Sequence, residues 1–478
     1  MTNMLIGGEL VPAAGGRTYD DVSPVTGEVI AQVPDASDAD VASAVDAAAA
    51  AAKAWRRLPA GERGALVGRL ADILAEHGDE LAQLDSVDGG HPLVSMLQDV
   101  DIALEGMRLF AGLGGEIKGE TIPASGEHLH YTVREPFGVV AKIIPFNHPL
   151  MFAAAKIAAP LVAGNTVVLK PPETAPLSAL RMGELFASEL PPGVLNIVVG
   201  DGPGTGRALV RHPLVRRIGF TGSEATGRAV QRDAAEVGVK DVTLELGGKN
   251  AMIAFPDASP SEVAGSVVRG MNFVRSAGQS CGSTSRLLLH SSIADAVLDE
   301  VVALMAAIKV GDPRDPGTEM GTLATPGQYE KALRYIEIAK SEGARLRTGG
   351  GRPAGLEDDP GLYLAPTLFD NVRPDMRIAQ EEVFGPVLSA ITWSTEEEAI
   401  DIANSVDYGL TASVWTNDVR RAHRVVRELE AGFVWINGSS AHFTGVPFGG
   451  FKLSGLGREE NLDELLSYTQ IKAVNVMM

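Results

Sequence analysis

Among 478 residues the sequence has one cysteine. A single thiol excludes any intramolecular disulfide and any cysteine-rich metal centre, and no metal site is expected. Basic tracts are also missing. Lys and Arg number 41 against 61 Asp and Glu, and the net charge of −20 argues against nucleic-acid or anionic-membrane partners, which are bound through positive patches. The opening "MTNMLIGGEL" has neither the basic nor the apolar region of a secretory leader. The nearest approach to a membrane span, "PLMFAAAKIAAPLVAG" (149–164), carries Lys156 and is shorter than the ~20 residues a span needs. It reads as a buried helix. There is no internal repeat and no low-complexity tract. A cytoplasmic protein acting on a small molecule is the expectation.

What is present is a long α/β pattern. Glycine, at 54 residues, exceeds the usual share and suits many tight strand-helix turns. The length predicts two large domains or three smaller ones. After a short extended start come an alanine-rich helix over 38–56 and amphipathic segments over 62–84 and 97–113. From 137 to 250 short β-branched runs ("FGVVAKIIP", "NTVVLKP", "VLNIVVG", "RRIGFTG", "VTLEL") alternate with helical stretches, the mark of βαβ units on a parallel sheet. A second alternating block follows, with "NAMIAF", "SRLLLH", "LSAITW" and "TASVWT" as strands and 348–361 as a surface excursion. The segments "HLHYTVREP" (128–136) and "LSYTQIKAVNV" look like edge strands of an intersubunit sheet.

The lone thiol, Cys281, lies in the polar stretch "GMNFVRSAGQSCGSTSR" (270–286). A free cysteine is usually a small packed hydrophobe, so its surroundings must decide whether it is reactive. "GDGPGTG" (200–206) places Thr205 where G-x-G-x-x-G needs glycine and is a weak nucleotide signal. "FTGSEATG" (220–227) is better placed: Gly222 turns the chain after a strand and Ser223 opens a helix. It forms a pyrophosphate site or a plain N-cap. Lys170 and Glu173, three apart beyond a strand end, suit ribose hydroxyls or form a solvated loop pair. Glu173 would repel a 2′-phosphate, which favours NAD over NADP while leaving NADP possible. Asn147, in "IIPFNHPL", is an oxyanion donor or a turn residue before proline. Glu245, in "LELGGKN", is a general base with a raised pKa or an exposed strand residue, and the glycines after it would let it reorient.

Taken in order, Asn147, "LKPPE", "FTGSEATG", "LELGGK", "GQSC", "EEVFGPV" (381–387), "YGLTASVWT" (408–416), "WINGS" (435–439) and "PFGGFKLSGLGRE" (447–459) resemble the aldehyde dehydrogenase superfamily along nearly the whole chain. The resemblance implies a Rossmann-like parallel-sheet coenzyme domain (1–117 and 137–247), a second α/β catalytic domain (248–453) and a small β oligomerisation segment (118–136 and 454–478), in a homodimer or homotetramer. It also implies Cys281 as nucleophile, Glu245 as general base and Asn147 with the Cys281 N–H as oxyanion donors. Lys170, Glu173, Gly222, Ser223, Glu382, Phe384, Ile144, Pro145 and Phe146 would hold the nucleotide, and Lys249 and Asn437 belong to motifs lining the site. In the implied chemistry, Cys281 adds to an aldehyde, hydride leaves for NAD, and water activated by Glu245 hydrolyses the thioester. The site should therefore favour thiolate. A CoA-acylating relative, which generally lacks the water-activating glutamate, and a non-catalytic protein on the same fold are the rival readings.

The sequence departs from the common pattern around the substrate. Phe146 stands where many relatives have Trp, and His148 where an aromatic residue often lines the tunnel. Glu245 and Cys281 are 36 residues apart, slightly more than in several relatives, so "VRSA" (274–277) is expected to loop differently. With His148, the substrate pocket is expected to take in Met151, Phe152, Ser280, Gly282, Ser440, His442 and Phe448, and to suit an aromatic or polar aldehyde. His148 and His442 alternatively bond to backbone. Arg275 either binds a substrate carboxylate or is a surface residue.

Overall fold

The computed structural model describes residues 2–477. Its larger sheet grows from the strand Val139–Ile143, which pairs in parallel with Thr166–Lys170, itself parallel to Leu195–Ile197. On the other side Val139–Ile143 pairs in parallel with Val215–Thr221, and that strand with Asp241–Glu245. The chain thus builds first one way from Val139–Ile143 and then the other. Open α/β sheets take ligands in the crevice at such a reversal, outside the carboxyl ends of the strands. Every residue of Val139–Ile143 and Thr166–Lys170 is buried, as unbroken β-branched runs covered on both faces require. Alternate residues feed two cores: Val140, Val167 and Leu169 pack on one face, Val139, Ala141 and Val168 on the other.

Short local signals set the helices. Pro149 starts Pro149–Val162, Ser223 caps Glu224–Val237 by accepting from the Thr226 N–H, and a Ser37–Asp40 capping box opens Asp38–Trp55. Among the described residues no helix is long and apolar enough to cross a membrane.

The second sheet runs Arg345–Thr348, Thr367–Asp370, Val387–Trp393, Arg286–His290, Ala251–Ala254, Thr411–Trp415, Phe433–Ile436, parallel except at its first strand. The first and second of these carry little β-branched signal and are not evident from sequence. Thr469–Met477 pairs antiparallel with His128–Pro136, joined by Thr121–Ile122. The segment from 454 onward does more than supply an edge strand. Gly455–Leu456 pairs antiparallel with Leu244–Glu245 and so closes the larger sheet.

Candidate active site

The link 246–250 leaves the carboxyl edge of the larger sheet and enters the amino edge of the second, and Cys281 lies at this junction. Asn250 clamps the cysteine loop: its Nδ2 donates to the carbonyls of Cys281 (2.7 Å) and Ser283 (2.9 Å). Thr411 Oγ1 donates to the Gly282 carbonyl, and Cys281 packs against the cluster Leu410, Phe433, Trp435 and Phe448. From the larger sheet, Asn147 follows Val139–Ile143 and its Nδ2 donates to the Gln279 carbonyl at 2.9 Å. That bond uses one of two amide hydrogens, so the second remains for a ligand beside Cys281. The Asn147 Oδ1 is buried without a partner.

Glu245 ends its strand buried, and neither carboxylate oxygen has a hydrogen-bond partner. Burial, then the negative charge of Glu459, pushes its pKa well above the usual carboxylate range. Cys281 is only partly accessible, and its thiol is pushed up to about 12 by burial, then by Glu245 and Glu382. The expectation of a ready thiolate is therefore not met by the protein alone. Two carboxylates near a half-buried sulfur oppose a third negative charge.

The glycines after Glu245 allow close approach. A Cβ on Gly247 would come within 2.3 Å of the Glu382 carboxylate, and one on Gly248 within 3.0 Å of the Cys281 carbonyl. Glu382 accepts from the Gly248 N–H at 2.8 Å. Phe384 is held at φ +58°, an uncommon conformation for a bulky residue, with its ring edge-on to Phe146 at 6.0 Å. Gly222 has no room for a side chain, since a Cβ would meet the Phe220 ring at 2.6 Å. Ile144 is buried and its N–H donates to the Lys170 carbonyl, so Ile144 and Pro145 carry the chain from the sheet edge to Phe146. Lys170 Nζ bonds Glu173 at 2.9 Å, with the lysine buried and the glutamate open. An open cleft of about 600 Å³ borders Glu173 and Tyr19 and touches none of Cys281, Glu245 or Asn147.

Beneath Glu245 lies a layer that spacing along the chain conceals. Glu459 accepts from Lys156 and from Lys142 (3.4 Å), and Lys142 also donates to the Tyr468 hydroxyl at 2.6 Å. Burial works against ionisation of Glu459, but the two lysines hold its carboxyl at about 2. The sequence sign of this layer was a lysine in the middle of an otherwise apolar helix.

The structure departs from the backbone-bonding alternative for the two histidines. His148 Nδ1–H donates to Asp99 Oδ2 at 2.6 Å and His442 Nδ1 bonds Glu460 at 3.1 Å; neither meets backbone. His442 also stacks on Phe433 and tilts against Phe448 at 4.7 Å. Arg275 is neither free nor a surface residue, because its guanidinium is bound to buried Asp99. "VRSA" forms part of a short turn ahead of the thiol. Asn272 (φ +54°) and Ala277 (φ +50°) bracket the single turn Phe273–Ser276, and Ser440 Oγ donates to the Asn272 side chain at 2.7 Å. Ser280 borders the thiol half-exposed, and a Cβ on Gly282 would meet nothing closer than 3.9 Å. Met151 and Phe152, on the first turn of Pro149–Val162, are partly buried. Lys249 is fully buried with Nζ unpartnered, and burial, then Arg286, lowers it to about 7. Asn437 exchanges hydrogen bonds with the Thr416 backbone and pins two strand ends.

A doubly wound sheet whose ligand crevice abuts a half-buried thiol is the architecture of a nucleotide-dependent oxidoreductase. The chain belongs to the aldehyde dehydrogenase family, whose model matches residues 10–474. It is 48% identical over 464 residues to the aldehyde dehydrogenase tropH of Talaromyces stipitatus, covering 96% of this chain and 90% of that one. It is 42% identical over 474 residues to the hydroxyisobutyraldehyde dehydrogenase of Mycolicibacterium austroafricanum, covering 99% and 93%. Among solved structures it is similar to the NAD+ complex of aldehyde dehydrogenase from Bacillus cereus, with TM-score 0.97, 40% identity, and coverage of 100% of this chain and 96% of that one.

Proposed function

We propose that the protein oxidises an aldehyde to the carboxylic acid with NAD, through a thioester on Cys281 that water then hydrolyses. The observation that carries this reading is Glu245, a buried carboxylate with no protein partner, whose charge acts on the only thiol. The residues at the sheet reversal fit a dinucleotide. The N-terminus of Glu224–Val237 with Ser223 suits its pyrophosphate, Lys170 and Glu173 its adenosine ribose, and Glu382 with Phe384 its nicotinamide end. Ile144, Pro145 and Phe146, which leave the sheet edge beside Lys170, would border the same nucleotide. Bound NAD supplies the acceptor for the hydride that leaves the substrate carbon. The protein's own residues do the rest. The Cys281 sulfur, as thiolate, bonds to the carbonyl carbon, and the second Asn147 amide hydrogen and the Cys281 N–H hold the oxygen as it gains charge. Glu245 then takes a proton from the water that attacks the thioester carbon, and the thiolate leaves. Glu173 favours NAD over NADP.

Glu245 also favours hydrolysis over CoA transfer, since a thiol acceptor needs no buried base for water. Polar groups around the cysteine loop support a polar or aromatic aldehyde, as does the relative named for hydroxyisobutyraldehyde. A cytoplasmic homodimer or homotetramer completes the reading. Exposed Leu129, Ile471 and Met477 on the small sheet favour its burial against a second copy. The test is NADH formation over an aldehyde panel, with NAD and NADP in parallel. Turnover with NAD, without CoA, and lost in Cys281→Ala is expected. Unchanged turnover in the variant, or strict dependence on CoA, would overturn the reading.

A further inference from the structure

The loop that carries Cys281 is fastened to the larger sheet's helical layer at three points. Ser95 Oγ donates to the Val274 carbonyl, Asp99 binds Arg275, and Asn147 binds the Gln279 carbonyl. His148 sits between the last two, next in chain to Asn147 and bonded to Asp99. Its ring is therefore held by Asp99 and its backbone by the anchored Asn147. Asp99 is wholly buried. Burial opposes its ionisation, but His148 and Arg275 hold its carboxyl below the usual range. The carboxylate accepts at Oδ2 from His148 Nδ1 and at Oδ1 from Arg275, so both of its oxygens are engaged and the Arg275 charge is committed to it. His91 lies beside this pair, buried with both ring nitrogens unpartnered and pushed down to about 3 by burial, then by His148, and Asp85 is close enough to feel the Asp99 charge. Phe152 packs edge-on to the His148 ring at 5.9 Å. Among the described residues His148 Nε2 bonds to no protein group and is not sealed from solvent.

We propose that His148, held by Asp99 in the Nδ1–H tautomer, presents Nε2 as a hydrogen-bond acceptor to a hydroxyl on the substrate, making hydroxylated aldehydes the preferred class. This rests on the dehydrogenase reading above and names the donor that its pocket recognises. Arg275 is then a positioning residue, because its charge is committed to Asp99. An anionic substrate group would find no free cation there, whereas a neutral hydroxyl meets an oriented acceptor.

The test compares kcat/KM within matched pairs: 4-hydroxybenzaldehyde against 4-methylbenzaldehyde, and 4-hydroxybutanal against pentanal. 4-Methoxybenzaldehyde, which accepts but cannot donate, is the third arm. The hydroxyl-to-methyl ratio is expected to exceed one in at least one pair, to fall roughly tenfold to a hundredfold in His148→Phe, and to be partly restored in His148→Gln. Taking the ratio within each variant cancels any shared loss from altered packing. A ratio near one in the native enzyme, a ratio unmoved in His148→Phe, or a methoxy compound preferred over the hydroxyl would overturn the proposal and leave the dehydrogenase reading intact. So would a preference for succinic semialdehyde that disappears in Arg275→Met. Absence of turnover on every aldehyde would instead sink the dehydrogenase reading, and this proposal with it.

Discussion

Two buried glutamates near the carboxyl edge of the larger sheet are treated in opposite ways. Glu459 is paired with Lys156 and Lys142, and its pKa is depressed to about 2. Glu245 has no partner on either oxygen, and its pKa is raised. A buried carboxylate with two cations is a structural element. A buried carboxylate with none is destabilising, and its retention makes sense where a proton must be taken up and released. The negative charge of the paired group also helps to raise the unpaired one, so the ionic layer sets the condition of the residue above it.

If that contrast is right, changes around Glu245 and Cys281 should cost activity and changes around Glu459 should cost stability. The largest effect is expected for Cys281→Ala, a loss of turnover on the order of 10⁴-fold or more with little change in melting temperature. Lys156→Met should remove about 3–5 kcal/mol of stability in denaturant unfolding, because it leaves a buried charge with one cation. In the native protein the Glu459 contribution is present above the unfolded carboxyl value of about 4.3 and lost as pH falls toward about 2. The acid-unfolding curve of Lys156→Met should be flatter across that window. Asn147→Ala should lower kcat by about 10²–10³-fold. Glu245→Gln has a smaller effect on stability than Lys156→Met, and one opposite in sign. A raised carboxyl pKa means that the folded state binds the proton more tightly, so the native protein loses stability as pH rises above the unfolded value. The variant should gain about 1–3 kcal/mol at neutral pH and nothing in acid below that value. A loss of stability in Glu245→Gln, or none in Lys156→Met, would break the contrast.

The residues readable from sequence were those whose chemistry is announced locally. A lone cysteine among small polar neighbours, a glutamate between leucines before two glycines, and a serine opening a helix after a strand each carry their signal within a few positions. The alternating runs likewise exposed the parallel strands of the larger sheet. What stayed hidden depends on partners far apart in the chain. Lys156 and Glu459 are 303 positions apart, and Asp99 and Arg275 176 apart, so no spacing rule joins them. Arg275 looked like a surface residue because the acid that holds it lies on another helix. The close packing at Gly247 was hidden for a related reason, since the Glu382 carboxylate that crowds it comes from the loop before Val387–Trp393.

The division of labour between Cys281 and Glu245 is tested most directly by rapid mixing of the Glu245→Gln variant with aldehyde and NAD, followed by intact-mass analysis. The account predicts one NADH released per active site in a fast burst, near-arrest of further turnover, and an acyl group left on Cys281. Steady turnover at the native rate without a burst, or an unmodified Cys281 after the burst, would contradict it.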